Sequence, residues 1–129
     1  MPASSWLSQR LTQLRTTRQR SGDAAEEQAL QYLEAQGLRL VQRSFLCKGG
    51  EIDLIMQDSD CLVFIEVRSR ASRNFGGAVA SITPQKQHRW QHAAQVYLSQ
   101  LNKEPTCRFD VVAIEQGQLT WLKNVLCNF

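Results

Sequence analysis

The sequence predicts an α/β domain, a mixed and mostly antiparallel sheet flanked by helices, in the order α-β-β-β-α-β-β. Three observations carry this. Residues 23–36 and the run that opens at Thr83-Pro84 repeat apolar residues at the 3.6-residue helical period. Between and after them lie runs of aliphatic and aromatic residues punctuated by turn residues, as pleated backbone prefers. The 129 residues suffice for one hydrophobic core and not for two ordinary ones.

Taken in order, residues 1–21 read as a basic N-terminal arm or short helix ahead of a domain spanning 22–129. Arg10, Arg15, Arg18 and Arg20 fall in a stretch without a single acid, and Leu7, Leu11 and Leu14 recur at i, i+4 and i+7 beside Trp6. Such an arm is either a solvated tail or a phosphate-contacting extension. Residues 23–36 form a helix: Ala24, Ala25, Ala29, Leu30 and Leu33 favour it, Asp23, Glu26 and Glu27 suit its positive end, and Gly37 stops it. On its helical projection Glu26 falls inside the apolar stripe and Glu27 outside, so Glu26 is expected to point toward the sheet.

Leu38 to Leu46 reads as an edge strand, and Gly49-Gly50 as a tight turn or bulge into a hairpin. The hairpin pairs Glu51-Ile52-Asp53-Leu54-Ile55-Met56 with Cys61 to Arg70 across Asp58, Ser59 and Asp60. Ser69 to Ile82 is a polar loop whose Arg70, Arg73, Asn74, Phe75, Gly76 and Gly77 suit contact with a sugar-phosphate backbone. Thr83 as N-cap and Pro84 at the first helical position open the second helix, with Trp90, Ala93, Ala94, Tyr97, Leu98 and Leu101 on its core face. His88 and His92 project to the other side and are expected to be a solvated pair. Cys107 to Glu115 and Leu119 to Lys123 close the sheet around a Gln116-Gly117 turn, with Asp110 expected to pair with Arg108 or another base.

Composition narrows the function classes. No apolar run approaches the roughly 18 residues of a membrane span, and no signal peptide opens the chain, so a cytoplasmic protein without a membrane partner is expected. Cys47, Cys61, Cys107 and Cys127 are scattered without a Cys-x-x-Cys pair, which argues against a zinc or redox motif and for reduced thiols. A net charge of +3 permits a polyanionic partner.

The hairpin raises a question of energy. Side chains alternate along a strand, so Glu51 and Asp53 share one face, and Glu66, Arg68 and Arg70 share one face of the next strand. A two-residue Ser59-Asp60 loop or a four-residue loop sets Asp53 opposite Glu66, and two facing carboxylates repel unless a cation or hydrogen bonds compensate. Lys86, one turn before Trp90, projects to the buried side at a helix start that favours anions. Glu26, Asp53, Glu66 and Lys86 are thus expected to face one layer between helix and sheet. Oxygen ligands of this kind suit Mg²⁺ or Mn²⁺ and phosphodiester hydrolysis, the alternative being plain ion pairs with Arg68, Arg70 or Arg108.

The motifs Gly22-Asp23-x-x-Glu26 with Ala29 and Tyr32-Leu33, Gly49-Gly50-Glu51-Ile52-Asp53-Leu54-Ile55, Phe64-Ile65-Glu66-Val67-Arg68-x-Arg70, Phe75-Gly76, Thr83, Lys86-Gln87 and Cys107-Arg108-Phe109-Asp110-Val111-Val112 resemble the YraN family, from Gly22 to about residue 122. The resemblance implies a restriction-endonuclease-like fold, similar to archaeal Holliday-junction resolvases. Nucleases of that superfamily use an Asp on one strand and Glu-x-Lys on the next to bind metal and activate water, assisted by a Glu on the first helix. Asp53, Glu66 and Glu26 match those metal-binding positions. Arg68 stands where the motif has Lys; it stays protonated and so holds phosphate rather than acting as a base, leaving Lys86 as the candidate amine.

The expected function is that of a DNA-binding, metal-dependent endonuclease-like phosphodiesterase acting on branched or damaged DNA. Glu26, Asp53 and Glu66 would hold the metal, with Arg68, Arg70, Arg73 and Lys86 on nucleic acid. The alternatives are a non-catalytic nucleic-acid-binding module, or an interaction protein docking or forming a homodimer through Trp6, Leu7, Leu11 and Leu14.

Overall fold

In the computed structural model, residues 17–70 and 82–126 are described, with side chains from Asp23 to Ser69 and from Ile82 to Leu126. Arg10, Arg15, the N-terminal leucines, Arg73 and the Phe75-Gly76 loop lie outside them, as do the side chains of Arg18, Arg20 and Arg70. The elements are α1 (Thr17–Ala35), β1 (Arg39–Cys47), β2 (Gly50–Asp58), β3 (Cys61–Arg70), α2 (Pro84–Ser99), β4 (Thr106–Glu115) and β5 (Gln118–Leu122). This is the expected order, with α1 beginning at Thr17 rather than near Asp23.

The five strands form one sheet in sequence order. β1 with β2, β2 with β3 and β4 with β5 are antiparallel. α2 crosses over so that β4 runs parallel to β3, pairing from Cys61↔Thr106 to Arg70↔Glu115. Tight loops set the registers: Ser59 takes φ 52° in the two-residue turn that pairs Asp58 with Cys61, and Gln116 and Gly117, both at positive φ, join β4 to β5.

Each face of the sheet carries its own core. Ala25, Ala29, Leu30 and Leu33 of α1 pack on Leu54, Met56, Val63, Ile65, Val112 and Ile114. Trp90, Ala93 and Ala94 of α2 pack on Ile55, Phe64, Phe109 and Val111 from the other side. The Trp90 ring meets Phe109 edge-on at 4.9 Å between centroids. Thr83 caps α2 as expected: its Oγ1 accepts the Lys86 N–H at 3.2 Å.

Gly50 fixes how closely α2 can lie. A Cβ at this position would run into the Arg89 carbonyl oxygen and press on Ala93, so only glycine lets the helix sit on the start of β2. His92 belongs to the same contact. Exposed as expected, it also lies 3.1 Å through Nε2 from the Lys48 carbonyl oxygen in the β1–β2 turn.

Asp110 is fully buried and structural, as expected. Arg108 Nε donates to both of its oxygens at 3.0 and 3.1 Å, the Trp121 indole donates at 3.0 Å and the Asn124 N–H at 2.9 Å. Arg108 also reaches Asp58 at 2.9 Å, tying β4 to the end of β2. Cys47, Cys61 and Cys107 are free thiols. Among the described residues no helix is long and apolar enough to cross a membrane.

Candidate functional site

The β2–β3 register, Leu54↔Ile65 through Asp58↔Cys61, places Asp53 opposite Glu66 by continuation. Phe64 belongs to the core under α2, and Glu66, two residues on, lines the pocket on that face, where the Asp53 carboxyl is hydrogen-bonded to it. Asp53 Oδ2 accepts the Val67 N–H at 2.8 Å, a backbone donor on the neighbouring strand. Arg68 Nη1 lies 3.4 Å from Glu66 Oε2, with both side chains mostly shielded. Glu51, Glu66 and Arg68 of the sheet, with Lys86, Arg89 and Trp90 of α2, enclose a pocket of about 120 Å³.

Burial disfavours ionisation of both facing carboxyls. It pushes Asp53 up to about 6, against the stabilising Val67 N–H, and the charge of Glu51 adds to the rise. Glu66 is pushed up to about 8, by burial first and then by the negative charge of Asp53, with Arg68 opposing. A hydrogen bond joins the pair. Near neutral pH the two groups therefore hold one proton between them, a state that a cation could replace.

The expectation of one common layer for four side chains requires correction. Glu66 and Lys86 line one pocket on the face under α2, with Asp53 hydrogen-bonded to Glu66, whereas Glu26 is half-buried on α1, which covers the opposite face. The helical period identifies the inward side of α1 but carries no information on which face of the sheet that helix covers. Arg68 stands beside Glu66, and Lys86 is exposed at the pocket rim. Arg89 and Trp90 were not expected at the site, although Lys86, Arg89 and Trp90 at i, i+3 and i+4 share one side of a helix, a spacing that groups them.

Among the described residues no group of three or more His, Cys, Asp or Glu side chains converges on a single point. Asp53 and Glu66 nonetheless fit Mg²⁺ or Mn²⁺: they are hard oxygen donors held together against their own repulsion, and Mg²⁺ commonly uses one or two carboxylates plus waters and phosphate oxygens.

Comparison with known proteins gives a consistent relationship. The uncharacterised protein family UPF0102 matches residues 25–114. A UPF0102 protein of Herminiimonas arsenicoxydans is 55% identical over 112 residues, covering 87% of this chain and 90% of the relative. One from Cupriavidus metallidurans is 57% identical over 110 residues, covering 84% and 81%. One from Pseudomonas putida is 50% identical over 111 residues, covering 81% and 90%. The matched span runs from the apolar face of α1 to the end of β4 and includes every residue of the carboxylate pocket. The chain belongs to the UPF0102, or YraN, family.

Proposed function

We propose that this protein is a metal-dependent, endonuclease-like phosphodiesterase acting on DNA. The observation that carries the reading is the facing pair Asp53 and Glu66, buried, sharing a proton and rimmed by Arg68, Lys86 and Arg89. Structural ion pairs elsewhere in the sheet, such as Arg108 with Asp110, satisfy each carboxylate with cations and N–H donors. Two carboxyls pressed on each other are a costly arrangement for a purely structural purpose.

Asp53 and Glu66 would hold one Mg²⁺ or Mn²⁺, releasing their shared proton as they do so. Such an ion supplies Lewis acidity toward a phosphoryl oxygen and eases ionisation of a water. Arg68 neutralises charge on the phosphate and, being permanently protonated, takes no part as a base. Lys86 brings a second cation to the charge that builds in the transition state. Incubation with labelled duplex, flap and four-way-junction DNA, with and without Mg²⁺ or Mn²⁺, tests this. Metal-dependent cutting lost in Asp53→Asn is the expected result, and cutting that survives Asp53→Asn would refute it.

One observation favours a second reading, a binding module that grips nucleic acid without turning it over: Arg68 occupies the Lys position of the resemblance and is engaged with Glu66. DNA affinity that falls steeply with salt, with no cutting under any metal, would select it.

A further inference from the structure

The Trp90 indole poses a problem that the carboxylate pair does not answer. Trp90 is 2% exposed, and its Nε1–H is buried with no acceptor among the described residues. Its ring packs against Phe109, a task phenylalanine would perform without burying an unpaired donor. The surrounding cations Arg68, Lys86 and Arg89 are donors only and cannot satisfy it, and neither Glu51 nor Glu66, the acceptors in the same pocket, is bonded to it. A metal ion cannot accept a hydrogen bond either, so whatever answers this N–H brings acceptor atoms of its own.

Charge and size narrow that occupant. The pocket walls carry three cations, Arg68, Lys86 and Arg89, against the carboxyls of Glu51, Glu66 and the adjoining Asp53, so the balance is positive while Asp53 and Glu66 hold one proton between them. Its volume of about 120 Å³ is below the roughly 150 Å³ of an engineered cavity that holds benzene, and far below the roughly 300–1,000 Å³ of pockets for larger ligands. That volume suits a single tetrahedral oxyanion better than a nucleoside. The pocket also opens beside the first half of α2, whose capped N-terminus adds a favourable dipole. The close seating of the Arg89 carbonyl on Gly50 fixes that part of the helix against the sheet.

We propose that Lys86, Arg89 and the Trp90 indole N–H form a seat for one phosphoryl group beside the Asp53–Glu66 carboxylates. The proposal deepens the phosphodiesterase reading and rests on it only for the origin of that group, an internal diester or a strand-terminal monoester. The seat sets where the strand lies relative to the carboxylates, which makes Arg89 and Trp90 positioning residues.

The test uses full-length ¹⁵N-labelled protein with EDTA and no nucleic acid, so its failure leaves the cutting assay untouched. The chain has three tryptophans, and Trp90→Phe assigns the indole resonance of Trp90 by its disappearance. Inorganic phosphate is added at constant ionic strength. The Trp90 indole proton should move downfield and saturate, while the Trp121 indole, already bonded to Asp110, stays put. In the double variant Lys86→Ala/Arg89→Ala, whose side chains are exposed, the apparent Kd should rise about tenfold or more. Dimethyl phosphate reproducing the shift assigns the seat to an internal diester, and methyl phosphate alone doing so assigns it to a strand end. A Trp90 resonance unmoved at roughly 100 mM phosphate, where even a millimolar site is saturated, overturns the proposal. So does an equal shift in the double variant.

Discussion

The carboxylate pair makes stability fall as pH rises, and the size of that fall can be worked out. In the unfolded chain Glu66 ionises near its ordinary value of 4.5, but in the fold it keeps its proton until about pH 8. Between those limits the native state binds more protons than the unfolded one, so stability declines by up to roughly 1.4 kcal/mol per pH unit for each such group. Asp53, raised from 3.8 to about 6, adds to the decline in the lower part of this window. The Glu66 side chain is only 16% exposed, so solvent screens the effect little. From pH 5 to 8 Glu66 alone should cost on the order of 3 kcal/mol, or about 10 °C in Tm for 129 residues. Groups titrating elsewhere are removed by comparison with Glu66→Gln, which carries no charge at any pH. Urea denaturation of both proteins at several pH values should give curves that diverge toward alkaline pH, with the variant becoming the more stable. Added Mg²⁺ should narrow the gap at pH 8. Parallel pH curves for the two proteins would refute the claim that Glu66 is held protonated by burial and Asp53.

Three other substitutions have definite expected outcomes. Asp110→Ala leaves the Trp121 indole without its acceptor and Arg108 with Asp58 alone, and should cost about 3 kcal/mol in denaturant titration while leaving phosphate binding at Trp90 unchanged in the surviving folded fraction. Gly50→Ala forces α2 off the start of β2 and should destabilise by about 1–3 kcal/mol, read as a lowered denaturation midpoint at constant m-value. Thr83→Ala removes the acceptor of the Lys86 N–H and should cost about 1 kcal/mol, with faster amide exchange confined to the first turn of α2.

The facing of Asp53 and Glu66 is legible in the amino-acid order alone. A two-residue loop at Ser59 and Asp60 leaves one register available, and the period-2 pleat then commits their side chains to one face. Thr83-Pro84 is equally local, because an N-cap hydroxyl and the fixed φ of proline act on their own turn. Asp110 with Arg108 is legible for a related reason: residues two apart on a strand face the same way. His92 is exposed as expected, but its contact with the Lys48 carbonyl was not legible, because a helical projection shows which side faces the sheet and not that the β1–β2 turn lies beside α2.

What the chain determined by itself is therefore the set of elements, their order and the pairing of neighbours across short turns, since these follow from interactions over a few residues. Tertiary structure decided which face of the sheet each helix covers. That choice separates Glu26 from Lys86, brings Arg89 and Trp90 to the carboxylates and lets Gly50 hold them there. Its physical reason is that both faces of the sheet are apolar, so either could accept an amphipathic helix, and only the crossover that makes β4 parallel to β3 and the packing of the two cores distinguish them.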